Sequence, residues 1–272
     1  MALWTPSNLS ATLTAWQKAG STVGRRTWFD SSGNGNNLSQ NTSANQPEID
    51  TLNGLDILDF DRTEFDHMDY GDLDAMDVGT GDFYTFIVMN PDIENTNAAL
   101  LAKHSGADDY LLRVVNTNKI QQYIGSTSTG VVTGATTISA GTTYIVAGYR
   151  KTSVSYVRVD GTADGFALNA NSFSNANDFH VAGQASLGTS ANFDGQIAEI
   201  VMGGGTIEIE EIEKVEGYLD RRFALSSLPS AHSYSDFAPA FGLHGVHNQD
   251  LIGELALDVS GPLVSDTLAG AI

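Results

Sequence analysis

The sequence predicts an all-β fold: a two-sheet jelly-roll β-sandwich with one short helix near its C-terminal end and an extended tail behind it. Three observations predict it. Turn-forming clusters recur every 8–15 residues, the runs between them have strand length, and a single segment switches to helical spacing.

The turn clusters are SSGNGNN (31–37), LNG (52–54), GTG (79–81), HSGADD (104–109), DGTADG (160–165) and GGG (203–205). Between them, FYTFIVM (83–89) and TYIVAGY (143–149) are apolar on both faces, the pattern of a central strand covered on two sides. VSYVRVDG (154–161) alternates. Ser155, Val157 and Val159 share one face and Val154, Tyr156 and Arg158 the other, and Asp160-Gly161 then signals a tight hairpin turn. From Ile209 the period changes: Ile212, Val215, Leu219 and Phe223 follow at helical spacing. Glutamates crowd the start of that helix and Arg221 and Arg222 its end, which complements the helix dipole. Gly217 in its interior implies close packing. After Leu228 the hydrophobic residues become sparse, so residues 1–228 read as the sandwich and 229–272 as an extended assembly or anchoring arm.

The 272 residues suffice for one large β domain. Thirty-three acids against 13 bases give a net charge of −20, which argues against nucleic acid and anionic membrane as partners. The absence of cysteine excludes a disulfide framework and thiol chemistry. MALWTPSNLS lacks the basic and apolar regions of a secretory signal, and no run is long and apolar enough to span a bilayer.

Chemistry-bearing residues fall in four places. Glu199 stands in an apolar run without an acid two residues away, and the glutamates of Glu208–Glu216 frame the helix, most of them on its solvated face, so neither supplies the carboxylate pair of a glycosidase. Residues 56–82 hold ten acids, a density of hard oxygen ligands that suits calcium, with Asp59, Asp61, Asp66 and Asp69 as candidate ligands. The spacing is not that of an EF-hand, and a solvated acidic surface is the competing reading. WFDSSGNGNN places Asp30 before a Gly-Asn turn, where it either closes the loop or lends a polar contact to a cation or sugar. His232, His244 and His247 in the arm read as surface histidines, with His-x-x-His the one metal-like spacing.

Several blocks, in order, resemble a known family: LWTPSNLSATLTAWQKA, WFDSSGNGNNLSQ, LDFDRTEFDHMDYGDLDAMDVGTGDFYTFIVMNPD, YVRVDG, FDGQIAEIVM and IEKVEGYLDRRFAL. Together, over residues 3–228, they are similar to the laminin-G-like, concanavalin A-like lectin/glucanase domains of bacteria and bacteriophages. Two departures stand out: Lys18 where an Asp is usual, and Ala224 where a Gly is usual. The resemblance implies a lectin-like sandwich but no single function. Combined with the acidity and the arm, it leads to the expectation of a non-catalytic virion component, on the capsid or on a tail or fibre, assembled in the bacterial cytoplasm. Such a protein would be a homo-oligomer contacting other virion proteins through 229–272. The alternative is a glycan-binding module for adhesion or receptor binding, with or without calcium, using Tyr70, Tyr110 and Tyr123 as exposed platforms and Asp30 as a polar contact. A glucan hydrolase dependent on Glu199 is the third reading.

Overall fold

The computed structural model describes residues 4–94, 97–104, 109–125, 130–183 and 191–235. Its first strands are β1 (Thr12–Val23), β2 (Thr27–Asp30), β3 (Leu38–Ser39), β4 (Glu48–Leu52), β5 (Leu55–Phe60), β6 (Met68–Asp69), β7 (Phe83–Pro91) and β8 (Ala98–Lys103). There follow β9 (Asp109–Val115), β10 (Lys119–Gly125), β11 (Val132–Thr133), β12 (Tyr144–Lys151), β13 (Val154–Val159), β14 (Thr162–Leu168), β15 (His180–Val181) and β16 (Gly195–Gly204). One helix, α1 (Ile209–Phe223), closes the fold. It is too short and polar to cross a membrane.

The strands run in the order β11-β10-β9-β8-β15-β6-β3-β2-β1-β16-β7-β12-β13-β14, and β4 joins through β5, which pairs with β16. This path folds back on itself into two layers. The crossing is made by β1, whose first half pairs with β16 and whose second half pairs with β2, each ladder containing a register break. At the other end the Ala135 N–H donates to the Asp164 carbonyl, drawing the segment after β11 toward β14 and nearly closing the sandwich.

Alternation along the central strands builds two cores. In β7, Phe83, Ile87 and Met89 point between the layers, whereas Tyr84, Phe86 and Val88 point to the opposite face. The neighbouring β12 divides in the same way, with Tyr144 and Val146 on the inner side and Ile145, Ala147 and Tyr149 on the outer. The outer face would be exposed apolar surface, and α1 covers it with Ile212, Val215, Leu219 and Phe223. Burying each of these contributes about 1.5–3 kcal/mol. Ile209, expected on that face, is exposed because it opens the helix before the helix reaches the sheet.

The predicted turns form as their residues require. Asn53-Gly54 and Asp160-Gly161 both have two positive φ values, the two-residue hairpin turn whose twist matches the strands. Helix α1 ends in a Schellman arrangement: the Leu225 N–H donates to the Asp220 carbonyl and the Ala224 N–H to that of Arg221, with Ala224 itself left-handed.

Two expectations about this end of the chain need correction. Glu216 is not on a solvated helix face; it is buried and receives Arg158 Nε at 2.7 Å and Nη2 at 2.9 Å. His232 is not a surface residue, because residues 229–235 turn back onto α1. That turn buries His232 and Tyr234 and brings His232 Nε2 within 3.1 Å of Glu216 Oε2. The remainder of the expected arm, with His244 and His247, lies outside the described residues.

Candidate functional site: an acidic pocket at one end of the sandwich

Four strand ends converge at one end of the molecule and carry acids with them. Asp59 and Asp61 flank Phe60, whose side chain is held in the core, so both acids turn away from it. In the β4–β5 ladder Glu48 lies opposite Asp59. Asp92 directly follows β7 and Asp194 directly precedes β16. Gly195 lies opposite both Phe60 and Pro91, with a φ of 132°, and a Cβ there would come within 2.2 Å of the Asn90 carbonyl oxygen. Only glycine lets the three strands approach so closely. A turn from Asp61 to Asp66 completes the rim.

The resulting pocket, about 230 Å³, is lined by Glu48, Asp59, Phe60, Asp61, Glu64, Asp66, Asp92 and Asp194. Its charge is poorly compensated. Arg25 pairs with Glu48 at 2.9 Å, and Arg62 acts on Asp194. The Asp59 carboxyl is pushed up to about 6 by burial and then by the neighbouring carboxylates Asp92, Asp50, Asp194 and Asp61. Burial also raises Asp66 and Asp194. Asp61 moves the other way, lowered by hydrogen bonds from Thr63.

Asp66 is the most informative of the seven acids. It is 1% exposed, and its Oδ2 accepts from the Asp61 N–H at 3.0 Å. Its Oδ1 is buried with no hydrogen-bond partner among the described residues. An unpaired carboxylate oxygen buried beside other carboxylates is costly unless a cation meets it. The donor set is all oxygen, which fits a hard ion such as calcium, taking six to eight oxygens. Between Glu64 and Asp66, Phe65 is 47% exposed with a φ of 63°. A bulky residue in the left-handed region is strained, and such strain clusters at functional sites.

The structure divides the predicted metal ligands. Asp59, Asp61 and Asp66 meet in the pocket, joined by Glu48, Glu64, Asp92 and Asp194 from separate parts of the chain. Asp69 does not join them: it lies in β6, opposite His180 of β15. Asp72 and Asp77 are answered by the buried Lys103 at 2.8 and 2.7 Å, and Asp82 accepts from the Thr152 N–H and the Thr206 hydroxyl.

The predicted glycan contacts are corrected. Tyr110 and Tyr123 are at most 1% exposed. Tyr110 stacks on Phe173 between the layers, with its hydroxyl 2.8 Å from that of Thr85. Tyr123 packs on Ala99, Ala102 and Leu111. Tyr70 donates its phenol proton to Gln17 Oε1 at 2.5 Å, and its ring meets Phe179 edge-on. Asp30 spends both oxygens closing its own loop, accepting from the N–H groups of Trp16, Ser32 and Asn36 and from the Ser32 hydroxyl. Nor can Glu199 reach a substrate. It is fully buried, bonded by Trp16 Nε1 and Arg222 Nε at 2.7 Å each. Phe65, Asp92 and Asp194 were missed. The signals for the two acids were NPD and FDG, strand-end motifs already used as fold markers.

The sequence matches no family model and no curated protein. Solved structures of similar fold do exist. Domain 4 of AbnA, a GH43 extracellular arabinanase from Geobacillus stearothermophilus, in complex with arabinotriose, has a TM-score of 0.57 at 15% identity, covering 76% of this chain and 98% of that one. The binding domain of Paraclostridial mosquitocidal protein 1 has a TM-score of 0.61 at 10% identity, covering 78% and 53%. Trypanosoma rangeli sialidase in complex with sialic acid reaches 0.50 at 14% identity, with 82% of this chain but only 34% of the sialidase covered. The chain thus spans about half of the mosquitocidal binding domain and a third of the sialidase. At such identities the likeness establishes the fold alone, a β-sandwich of antiparallel strands. It does not establish the bacteriophage type.

Proposed function

We propose that this chain is a non-catalytic glycan-binding module whose sugar site is the acidic pocket, with a calcium ion held there by Asp59, Asp61, Asp66, Asp92 and Asp194. One observation carries the reading: the buried Asp66 Oδ1, without a partner among the described residues, in a pocket lined by seven carboxylate residues. Calcium neutralises that crowding and can share its remaining coordination with paired sugar hydroxyls, while Phe65 offers an exposed ring beside them. The neighbours described above support glycan recognition more than the virion role, since the domain most completely covered was captured with arabinotriose. Calcium titration of the full chain by calorimetry, then glycan titration with calcium and with EDTA, tests the reading. We expect calcium binding that is lost in Asp66→Asn/Asp92→Asn, and glycan binding only with calcium.

A second reading has its own observation. A carboxyl pushed up to about 6 by burial and neighbouring carboxylates suits an acid catalyst, so Asp59 would serve a hydrolase. Release of reducing sugar from glycans by the wild type, abolished in Asp59→Asn, would favour it.

A further inference from the structure

A second cluster, chemically unlike the acidic pocket, lies on β6, on the residue just before it, and on β15. Alternation places it: Met68 and Val181, which face each other in the β6–β15 ladder, both point into the core. Their neighbours His67, Asp69 and His180 therefore share the other face, with Asp69 directly opposite His180. One ligand atom from each of the three lies within 4.8 Å of the others. The imidazole rings sit 5.7 Å apart.

His180 is 8% exposed, and both of its ring nitrogens are buried without a hydrogen-bond partner among the described residues. Such a ring forfeits the hydrogen bonds water would give it, unless something else takes a lone pair. An imidazole nitrogen offers a lone pair for coordination when no proton occupies it. His67 is already oriented. Its Nδ1 is 2.8 Å from the Phe65 carbonyl oxygen, which can only accept, so Nδ1 carries the proton and Nε2 the lone pair. A carbonyl behind a ligating histidine is the usual supporting contact in metal sites. Gln40 Nε2 donates to that Nε2 at 3.0 Å and would have to yield to a metal. The Gly71 N–H holds one oxygen of Asp69 at 3.1 Å.

From this geometry we infer that His67, Asp69 and His180 form a binding site for a borderline divalent metal of the zinc class. Two imidazoles and one carboxylate fit such an ion and leave a fourth position to water, whereas calcium wants oxygens alone. The ion would clasp β6 to β15 across their short ladder. The site shares no ligand with the acidic pocket, although His67 follows Asp66 on the same turn, and it does not rest on the glycan reading.

The test is calorimetric titration of the EDTA-treated full chain with zinc chloride, with cobalt chloride as a spectroscopic probe. We expect one zinc per chain, tetrahedral cobalt absorption, and a higher Tm with zinc. His67→Gln, at a half-buried position that should tolerate the change, and His180→Gln should each weaken zinc binding at least tenfold. Asp92→Asn/Asp194→Asn, acidic-pocket changes distant from His67 in the chain, should leave zinc binding unchanged. Failure of the folded wild-type chain to bind zinc, or binding of equal strength in folded His67→Gln, would overturn the inference.

Discussion

At the scale of single residues, the main result is how buried charges find partners. Glu199 looked like a lone acid in an apolar strand. Its partner Arg222 is 23 residues away, and Trp16 and the Ala19 N–H come from the far end of the sequence. Burial raises the Glu199 carboxyl, and Arg222 and Trp16 oppose that shift. Arg222→Met should therefore cost about 3 kcal/mol in urea unfolding, since it leaves a buried acid without its cation. Adding Glu199→Gln should recover much of that loss. Asp160 presents the opposite case, for burial holds it at about 6, above its ordinary 3.8. Folding then takes up a proton between these values, so stability falls as pH rises from about 4 to 6 and is level above. Asn would keep an acceptor for the Ile145 N–H and tolerates the φ of 47°. Asp160→Asn should be stabilising by roughly 1–2 kcal/mol at pH 8 and neutral at pH 4, read from unfolding curves at both. None of these partnerships was legible in the sequence, because spacing along the chain carries no information about contacts across layers.

At the scale of elements the sequence is far more legible. The double-faced apolar runs became β7 and β12, the alternating run became β13, and the helical period became α1, each because periodicity maps directly onto which face is buried. Aromatic residues were harder to read. Tyr110 looked available as a platform, yet it alternates inward in β9 and is core, while the exposed ring near the pocket is Phe65 on a strained turn. A further strained turn joins β12 to β13, where Thr152 and Ser153 both take positive φ, 49° and 60°. Thr152→Asn/Ser153→Gly gives that turn the residues its geometry favours and should raise stability by about 1 kcal/mol or more in thermal unfolding. By the same reasoning Ala224→Gly, at the left-handed end of α1, should stabilise by up to about 1 kcal/mol.

At the scale of the whole molecule, the acidic run at 56–82 resolves into parts that only the fold separates. One set of acids goes to the pocket, Asp69 to the histidines, and Asp72 and Asp77 to Lys103. Composition announced an abundance of carboxylates but not its division, which depends on where β5, β7 and β16 end relative to one another. His232 and Tyr234 pack against α1, so chains ending at residues 235 and 228 should differ in unfolding. The one ending at 228 should lose about 2–4 kcal/mol, as removing buried aromatic contacts does. The proposed function turns on the acidic pocket binding sugar through calcium. The most direct measurement is a glycan array probed with the full chain in calcium, in EDTA, and with folded Asp66→Asn/Asp92→Asn. The account predicts glycan binding in calcium alone, lost in EDTA and in the variant. Binding that survives both, or no binding to any glycan by calcium-loaded wild type, would contradict it.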